Sequence, residues 1–563
     1  MKIHSLILAF VLSPVIGLIP LHGTPLDTSP LHELVVQSGG RQKPFPVFAK
    51  ETFQSLIGTG PFGVKKYQPA FGTRKMGPEE TILSMWFEPD KWMKEQIILV
   101  EYQPLRELLK IDKGRKLASF EEIVTNSDFL AEFDRIQKLK RQNPSATLDP
   151  LQKEVEAVSG RLHLFESLLS GDGFRVIPPS AAGSIQFLPV PLVASAYPRD
   201  QAQPVTEAFD QMRQSFAGSN PVSFAESSAQ FARVVGALNP GVTLSPGLVK
   251  VENFYESLHP FRWAWIAFLG GFVSLLAVPN KPRGYKIAWG LVWIGFVFQL
   301  SGFVMRVIIS QRAPVTNMYE TVIWLAFGVT IFAMIFEWKY KCRYYLLGAL
   351  PVAILSLLLA DSLPGALDNS IRPLMPVLQH NFWLTVHVLT ITSSYAAFAL
   401  ALGVAHIILG KVLFTRTVKI EASLYNYLYK TLQIGVLLLA IGTVLGAVWA
   451  NYSWGRFWDW DPKETWALIA FLSYLFVLHG RIAGWWGGFG LAVGSVIGFL
   501  AVLMAWYGVN FVLGVGLHSY GFGAGGVEYA AAFAVLELLF TGAALAVYLR
   551  LNKQNAPEKG AAA

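Results

Sequence analysis

The pattern of polar and apolar positions divides the chain into two parts of different character. From about residue 25 to 255, apolar residues are mixed with charged residues and prolines, whereas from about 262 to 550 the chain is a series of apolar runs. The runs are close to the roughly 20 residues that a helix needs to cross a bilayer. Nine membrane-spanning helices are predicted, at 262–279, 287–309, 318–337, 344–360, 382–410, 430–451, 466–483, 489–513 and 527–550.

This pattern predicts an α-helical polytopic membrane protein with an extracytoplasmic soluble domain that is mainly helical or mixed. The soluble domain covers 25–255 and is named the N-terminal domain below, and a cytoplasmic tail follows at 551–563. Residues 1–24 begin with a positive charge and continue into a short apolar stretch, which is typical of a signal peptide or signal anchor.

Lysine and arginine residues lie mainly in alternate loops between the predicted spans, and such loops are usually cytoplasmic. The basic positions are Lys281, Arg283, Lys286, Lys339, Lys341, Arg343, Lys411, Arg416, Lys419, Arg481, Arg550 and Lys553. The remaining loops, together with the N-terminal domain, are therefore expected on the extracytoplasmic side.

Composition limits the possible functions. The chain is 53% hydrophobic, which excludes an ordinary soluble protein of 563 residues. Its net charge of +8 fits membrane topology better than nucleic-acid binding, because no basic cluster interleaved with aromatic residues occurs in the N-terminal domain. Cys342 is the one cysteine, so neither a disulfide framework nor dithiol redox chemistry within the chain is possible.

An extracytoplasmic loop predicted at 451–466 contains the sequence WGRFWDWDPKETW, residues 454–466, which is named the WWD segment below. It holds four tryptophans: Trp454, Trp458, Trp460 and Trp466. Tryptophan is common where a helix leaves a membrane. Four in thirteen residues, among acidic and basic side chains, indicate a planar binding surface rather than an interfacial belt.

Four of the ten histidines lie within or next to predicted spans, where an ionisable residue is usually functional. His387 and His518 are predicted at the same outer level as the WWD segment, and His406 and His479 near the cytoplasmic ends of their helices. The other six have the ordinary explanation of exposed or interfacial polar residues: His4, His22, His32, His163, His259 and His380.

Two neutral imidazoles on either side of an aromatic surface suit a haem, with one axial ligand on each face of the macrocycle. Asp459 or Asp461 could orient a histidine, and Arg456 or Lys463 could pair with haem propionates. A tetrahedral metal site is less favoured, because the region offers no cysteine and no third histidine.

Three stretches, in this order, resemble the CcsA/ResC family of system II cytochrome c biogenesis proteins. These are APVTNMYETVIW at 313–324, WDWDPKETWALI beginning at Trp458, and GVNFVLGVGLHSYGF around His518. The resemblance covers roughly 285–550. A weaker resemblance is found at 34–52. There LVVQSGGRQKPFPVFAKET is similar to a segment that precedes this module in some fused or extended relatives.

The resemblance implies roles for individual residues. His387 and His518 would be the axial ligands of haem at the WWD segment, whose contacting residues would be Trp454, Arg456, Trp458, Trp460, Asp461 and Trp466. His479 would belong to an inner haem site. The second inner histidine is expected on a separate CcsB/ResB-like chain, with His406 as an intrachain candidate.

The resemblance also implies the reaction and its setting. Haem b would be joined by two thioether bonds to the CxxCH segment of apocytochrome c, in a holocytochrome c synthase complex with a CcsB/ResB-like partner. Catalysis would come chiefly from positioning. Thiol-reducing proteins would act indirectly, the lipid bilayer would be that of a bacterial inner membrane, and no nucleic acid would be bound.

Two other functions fit the same pattern. A haem exporter without ligase activity needs many spans, intramembrane histidines and an outer aromatic site. A haem b electron-transfer subunit needs paired histidines at two membrane depths, which His387 with His518 and His406 with His479 could supply.

Overall fold

The structure is a computed structural model. It describes residues 26–554 apart from 59–65, 73, 144–145, 147, 181–183, 219, 240, 279–281, 364–366, 375–380, 515, 517 and 519–525. The predicted signal segment, His4, His22, His380 and the tail beyond residue 554 therefore lie outside the described residues.

In its described residues, the N-terminal domain is mainly helical and has three small antiparallel sheets, each of two strands. The strands pair in chain order and are β1 (Val35–Ser38), β2 (Arg41–Pro44), β3 (Ile98–Leu99), β4 (Leu117–Ala118), β5 (Arg175–Ile177) and β6 (Leu188–Pro189). Its helices are α1 (Phe45–Ile57), α2 (Pro78–Phe87), α3 (Gln103–Leu108), α4 (Phe120–Val124), α5 (Ser127–Gln142), α6 (Pro150–Leu169), α7 (Val193–Ala196), α8 (Arg199–Ala217) and α9 (Pro221–Gly236). The next helix, α10 (Pro246–Leu258), connects this domain to the membrane helices and packs with them.

Local sequence explains these elements, and aromatic packing joins them. Helix α6 begins where Asp149 and Gln152 form a reciprocal capping box ahead of a proline at the first helical position. The indole of Trp86 stacks on Phe174 with 3.9 Å between ring centroids and 4° between planes. These residues belong to a core that is separate from the apolar core of the membrane helices.

Within the described residues, nine helices are long and apolar enough to cross a membrane, which confirms the predicted helical polytopic fold. The first runs from α10 into α11 (Pro260–Ala277) and bends at His259, whose φ is +47°. The others are α12 (Pro282–Ser310), α13 (Met318–Tyr340), α14 (Tyr344–Ser362), α15 (Asn381–Thr415), α16 (Ala422–Trp454), α17 (Pro462–Ile482), α18 (Gly488–Leu503) with a π-helix at Met504–Leu513, and α19 (Val527–Gln554).

Helix α15 is the central element of the bundle. It packs against α13, α14, α16, α18 and α19, and its middle carries small and apolar residues that are almost fully buried. Gly403 of α15 lies directly against the backbone of Gly348 in α14, where a Cβ on Gly403 would be 2.1 Å from the Gly348 carbonyl oxygen. Small residues permit such close approach of membrane helices, and they fix the depth of the histidines on α15.

The N-terminal domain is joined to the bundle through ion pairs on α10. Arg41, on the strand that leads into α1, forms two hydrogen bonds with the Glu252 carboxylate, at 2.7 and 3.1 Å. Its Nε also donates to the Ile371 carbonyl, in the connection between α14 and α15, at 2.6 Å. Lys50 pairs with Glu256 one turn further along α10. Residues 34–52, which include this hairpin, therefore dock the domain on the membrane helices.

The loop at the WWD segment is shorter than the predicted 451–466. Helix α16 continues to Trp454 and α17 begins at Pro462, so the connection is only 455–461. Gly455, with φ of +73°, ends the first helix. Asp461 and Glu464 form a capping box, followed by proline at the first helical position. The polar residues of this region predicted a longer loop, but the capping residues place the two helix ends closer together.

Candidate functional site

A cavity of about 160 Å³ lies at the end of the bundle where α11, α13, α15 and α17 begin. Five chain segments form it: the residues before and at the start of α13, the first turns of α15, the last turns of α16, the WWD segment, and the π-helix with the chain beyond it. Its polar and aromatic lining residues are Thr316, Asn317, Thr321, His387, Thr392, Tyr395, Thr443, Trp449, Phe457, Trp458, Lys463, Glu464, Trp506, Asn510 and His518.

His387 lines this cavity from the second turn of α15. Its Nδ1 lies 2.8 Å from the carbonyl oxygen of Gly442 on α16, so Nδ1 carries the proton and donates it. The other nitrogen, Nε2, is thereby left as a lone-pair donor. Gly446, one turn further along α16, is in contact with the same ring, since a Cβ there would be 2.6 Å from Cε1.

His518 lines the same cavity from the chain beyond the π-helix. Its Nδ1 lies 2.9 Å from Oδ1 of Asp461, whose side chain is almost fully buried. A carboxylate in this position fixes the imidazole with its proton on Nδ1 and leaves Nε2 for a metal. Gly516, with φ of +99°, brings this chain against Asp461, where a Cβ would be 2.3 Å from Oδ2.

The buried indole of Trp449 contacts both imidazoles. Its ring is parallel to His387 at 6.1 Å between centroids, and it is tilted against His518 at 5.8 Å. Trp454 packs edge-on against Trp449 at 4.8 Å and against His518 at 5.0 Å. The two histidines, which are 131 positions apart in the sequence, therefore share one aromatic environment.

Two basic residues of the WWD segment have different positions. Arg456 forms an ion pair with Asp459 within the short loop and does not line the cavity in the described residues. Lys463 lines the cavity, and its Nζ donates to Oδ1 of Asn510 at 3.0 Å. Of the two cations that could pair with a bound carboxylate, Lys463 is the one that faces the cavity.

The π-helix at Met504–Leu513 explains how Asn510 and Trp506 both reach the cavity. π-helical turns are rare in proteins, but those that occur are often found at functional sites, because their wider spacing redirects side chains. The Trp506 indole nitrogen donates to the Thr321 hydroxyl at 3.0 Å, which connects this wall to the start of α13. A second wall is thus held in position by residues from a distant part of the chain.

The predicted site residues fall into three groups. His387, His518 and Trp458 line the cavity, whereas Trp454 and Asp461 support His518 from behind. The third group, Arg456, Trp460 and Trp466, is also absent from the lining of the cavity among the described residues. Trp460, with φ of +58°, is exposed and packs edge-on against Trp458.

Sequence reasoning missed Trp449, Asn510 and the Thr316 turn as parts of this cavity. Trp449 lies one α-helical turn beyond Gly446, which together with Gly442 contacts His387. The spacing of these glycines in α16 could therefore have indicated that Trp449 is on the same face of the helix. Nothing in the sequence indicated the π-helix that places Asn510.

The two deeper histidines have separate surroundings. His479 on α17 is exposed and its Nδ1 hydrogen bonds with the Leu475 carbonyl one turn before it, at 2.8 Å. His406 on α15 makes the same backbone contact with Leu402, but its Nε2 lies 3.1 Å from the buried carboxylate of Glu537. The ring nitrogen of His406 that could bind a metal is therefore directed at a carboxylate of α19.

Comparison with known proteins agrees with the sequence patterns. The family model described as cytochrome C assembly protein matches residues 315–518, the span that contains the cavity. The protein NrfI of Wolinella succinogenes is 28% identical over 515 residues, which are 87% of this chain and 54% of NrfI. This chain therefore spans about half the length of NrfI, and an alignment that covers 87% of the chain must include most of the N-terminal domain.

Shorter relatives match the membrane part. The cytochrome c biogenesis protein CcsA of Synechococcus sp. (strain RCC307) is 33% identical over 49% of this chain and 98% of its own length. CcsA of Prochlorococcus marinus (strain NATL2A) is 35% identical over 44% of this chain and 89% of its own length. Among solved structures, cytochrome c heme lyase CcmF overlaps 52% of this chain and 50% of its own, with a TM-score of 0.38 and 16% identity. The sequence relatives establish that this chain is a multi-pass membrane protein belonging to the CcsA family of cytochrome c biogenesis proteins.

Proposed function

We propose that the chain binds haem b between His387 and His518 and presents it for thioether attachment to the CxxCH segment of apocytochrome c. The observation that carries this proposal is the pair of imidazoles lining one cavity, each with Nδ1 held by an oxygen atom. Both rings are thereby fixed in the tautomer that leaves Nε2 for iron. The donor set fits a haem with two axial histidines.

The remaining residues of the cavity support a planar, partly apolar ligand with carboxylates. Trp449, Trp458 and Trp506 provide aromatic surfaces, and Lys463 provides a cation for a propionate. The cavity is smaller than the usual ligand pocket of about 300–1,000 Å³. Haem entry would therefore require side chains that line the cavity to move outward, and of these Phe457 is already mostly exposed.

Catalysis in this proposal is positional. The two histidines fix the macrocycle, the aromatic side chains exclude water from its faces, and the vinyl groups remain accessible to the cysteine thiols. The histidine of the CxxCH segment then replaces one of the two axial ligands. The thiols must arrive reduced, by the action of thiol-reducing proteins, because Cys342 alone cannot reduce them.

The same proposal assigns the setting. His479 serves an inner haem site whose second ligand comes from a CcsB/ResB-like partner, and the WWD segment and N-terminal domain face the exterior of a bacterial inner membrane. The domain division into 25–255 and 262–550 belongs to this proposal, with the N-terminal domain contacting apocytochrome or the partner.

Product analysis separates this function from its alternatives. The chain is co-expressed with a CcsB-like partner and a CxxCH acceptor, and we expect covalent haem on the acceptor in a haem-stained denaturing gel. An acceptor with both cysteines replaced by serine is the control and should carry no haem. Haem that appears outside the membrane but never becomes attached would instead identify an exporter.

The electron-transfer alternative needs a second pair of histidines deeper in the membrane. His406 directs Nε2 at Glu537 rather than at His479, so this contact does not favour that function.

Gly446 provides a steric test of the His387 position. In Gly446→Ala the new methyl group would lie 2.6 Å from Cε1 and 2.8 Å from Nδ1 of His387, so the ring must shift and its hydrogen bond with the Gly442 carbonyl is disturbed. Such overpacking costs about 1–3 kcal/mol. We expect at least a several-fold loss of bound haem, measured as the ratio of Soret to protein absorbance after purification.

Gly542→Ala on α19 is the matched control, because nothing lies within 4 Å of a Cβ at that position. Alanine favours a helix at both sites. A normal haem content in Gly446→Ala would mean that His387 does not hold haem in the orientation seen here.

A further inference from the structure

A buried ion pair lies next to the cavity without lining it. Arg306 of α12 and Glu320 of α13 are each 1% exposed, and Nη2 of Arg306 donates to Oε1 of Glu320 at 2.6 Å. Burying two charges is costly unless further hydrogen bonds satisfy them, and a charged pair within a membrane protein is usually functional. The groups around this pair therefore indicate what it does.

The carboxylate of Glu320 holds the turn that forms one wall of the cavity. Its second oxygen, Oε2, accepts hydrogen bonds from the backbone nitrogen and from the hydroxyl of Thr316, both at 2.8 Å. Asn317 caps α13 by accepting from the Glu320 backbone nitrogen at 2.8 Å. Thr316 and Asn317 both line the cavity, so a single carboxylate fixes this wall.

The guanidinium of Arg306 joins the same wall to elements outside the cavity. Its Nη1 donates to the Tyr255 hydroxyl on α10 at 3.1 Å and to the Asn369 carbonyl, between α14 and α15, at 3.0 Å. Its plane also lies over the Tyr319 ring, at 5.1 Å from the centroid. Helix α10 is the element on which the N-terminal domain docks through Arg41 and Lys50.

We propose that Arg306 and Glu320 are positioning residues that hold the wall at 315–318 against a haem bound between His387 and His518. The inference rests on the proposed function. The wall has no regular structure of its own before α13 begins at Met318, and its position is determined by the Glu320 carboxylate. Glu320 links Thr316 to Arg306 of α12. When its carboxylate is neutralised, we expect this link to weaken and the cavity to widen on that side.

Three variants separate the steps of this argument. Glu320→Gln keeps the size and the N-terminal position in α13 but removes the charge that binds Arg306. Thr316→Val removes only the hydroxyl hydrogen bond and keeps the backbone one. Arg306→Lys keeps the charge but cannot donate simultaneously to Glu320, Tyr255 and Asn369 in the same fork geometry.

Asp361→Asn is the matched control. Asp361 forms a bidentate pair with Arg262 at 2.8 and 2.9 Å, near the same end of the bundle. It joins α11 to α14 as Glu320 joins α12 to α13, but it does not line or support the haem cavity. A general loss of bundle stability should affect both variants.

The readouts are haem content, the spectrum of bound haem, and the rate at which carbon monoxide binds the ferrous form. With full-length protein we expect Glu320→Gln to accelerate carbon monoxide binding at least several-fold and to lower haem content. Thr316→Val and Arg306→Lys should show smaller changes in the same direction. Asp361→Asn should match the parent protein in all three measurements.

The outcomes distinguish this inference from the proposed function, because His387→Ala is measured in parallel. If the parent protein holds haem and His387→Ala alters it while Glu320→Gln behaves as the parent does, only the positioning role is wrong. Equal changes in Glu320→Gln and Asp361→Asn would overturn it too, since they would show a general stability effect. Haem unaffected by His387→Ala would overturn the proposed function itself.

Discussion

Replacing His387 or His518 by alanine is expected to remove or strongly deplete the haem bound at the WWD segment. In the proposed function each imidazole would supply one axial position, and both rings are held in place by their Nδ1 contacts. Loss of one ligand leaves iron five-coordinate and the macrocycle anchored on a single side. The double variant should retain no haem at this site.

The measurement is the absorption spectrum of purified protein in the oxidised and reduced states. Because His479 is proposed to hold haem elsewhere, each variant is also examined in a His479→Ala background, where any remaining signal comes from the outer site. Added imidazole should partly restore the six-coordinate spectrum of the single variants, since truncation to alanine leaves space for it. Restoration of this kind excludes misfolding as the cause of the loss.

His163→Ala is the control for these variants. This residue is exposed on α6 of the N-terminal domain, far along the chain from the cavity. It should leave haem content unchanged. Full haem content and an unaltered spectrum in both His387→Ala and His518→Ala would mean that the ligand assignment is wrong.

The fold was largely predictable because membrane spans depend on length and apolarity alone. All nine predicted spans correspond to helices in the structure. The helix ends were less predictable: α15 and α16 extend well beyond the predicted 382–410 and 430–451. The end of α16 depends on capping by Gly455, as the start of α17 depends on Asp461, and a window of mean apolarity does not detect such caps.

The meeting of His387 and His518 at one cavity was predictable from the sequence. Histidines near membrane surfaces are few, so His387 and His518 could be selected by depth and side. The supporting contacts could not be found in this way. The Gly442 carbonyl that binds His387 is a backbone group, which the residue type does not reveal. Trp449 contacts His518 only because the folded chain brings together segments that are far apart in the sequence.

The buried ion pair shows the same limit. Glu320 lies in a motif that the sequence singled out, but its partner Arg306 precedes it by fourteen positions and lies in another helix. In the sequence, Arg306 is one basic residue near the end of an apolar run and is most simply an interfacial charge. Only the packing of α12 on α10 and α13 makes it a shared contact.

Asp461 is expected to have the second-largest effect among single substitutions, and it performs two tasks that can be separated. It caps α17 by accepting from the Lys463 backbone nitrogen at 2.9 Å, and it fixes His518 through Nδ1. Asp461→Ser keeps a good capping residue, but its side chain is too short to hold the imidazole. Asp461→Asn keeps an oxygen that can accept from both the Lys463 backbone nitrogen and His518 Nδ1, but it removes the negative charge.

We therefore expect Asp461→Ser to weaken haem binding by about 10–100-fold, the usual effect of removing a residue that orients a metal ligand. Asp461→Asn should weaken it less and should raise the haem reduction potential, because a neutral partner makes His518 a poorer donor to ferric iron. Titration with haem and spectroscopic redox titration measure these effects. Asp459→Asn is the control, because the Asp459 side chain pairs with Arg456 in the exposed loop.

The order of the two Asp461 variants is the decisive result, because capping and charge predict different orders. If capping of α17 were the main contribution of Asp461, serine and asparagine would both preserve haem binding, since both are favourable N-cap residues. If the carboxylate acts on His518, Asp461→Ser should weaken haem binding more than Asp461→Asn does. Asp461→Asn should then shift the haem reduction potential while haem stays bound. Equal behaviour of the two variants would mean that the Asp461 carboxylate does not act on haem binding through His518.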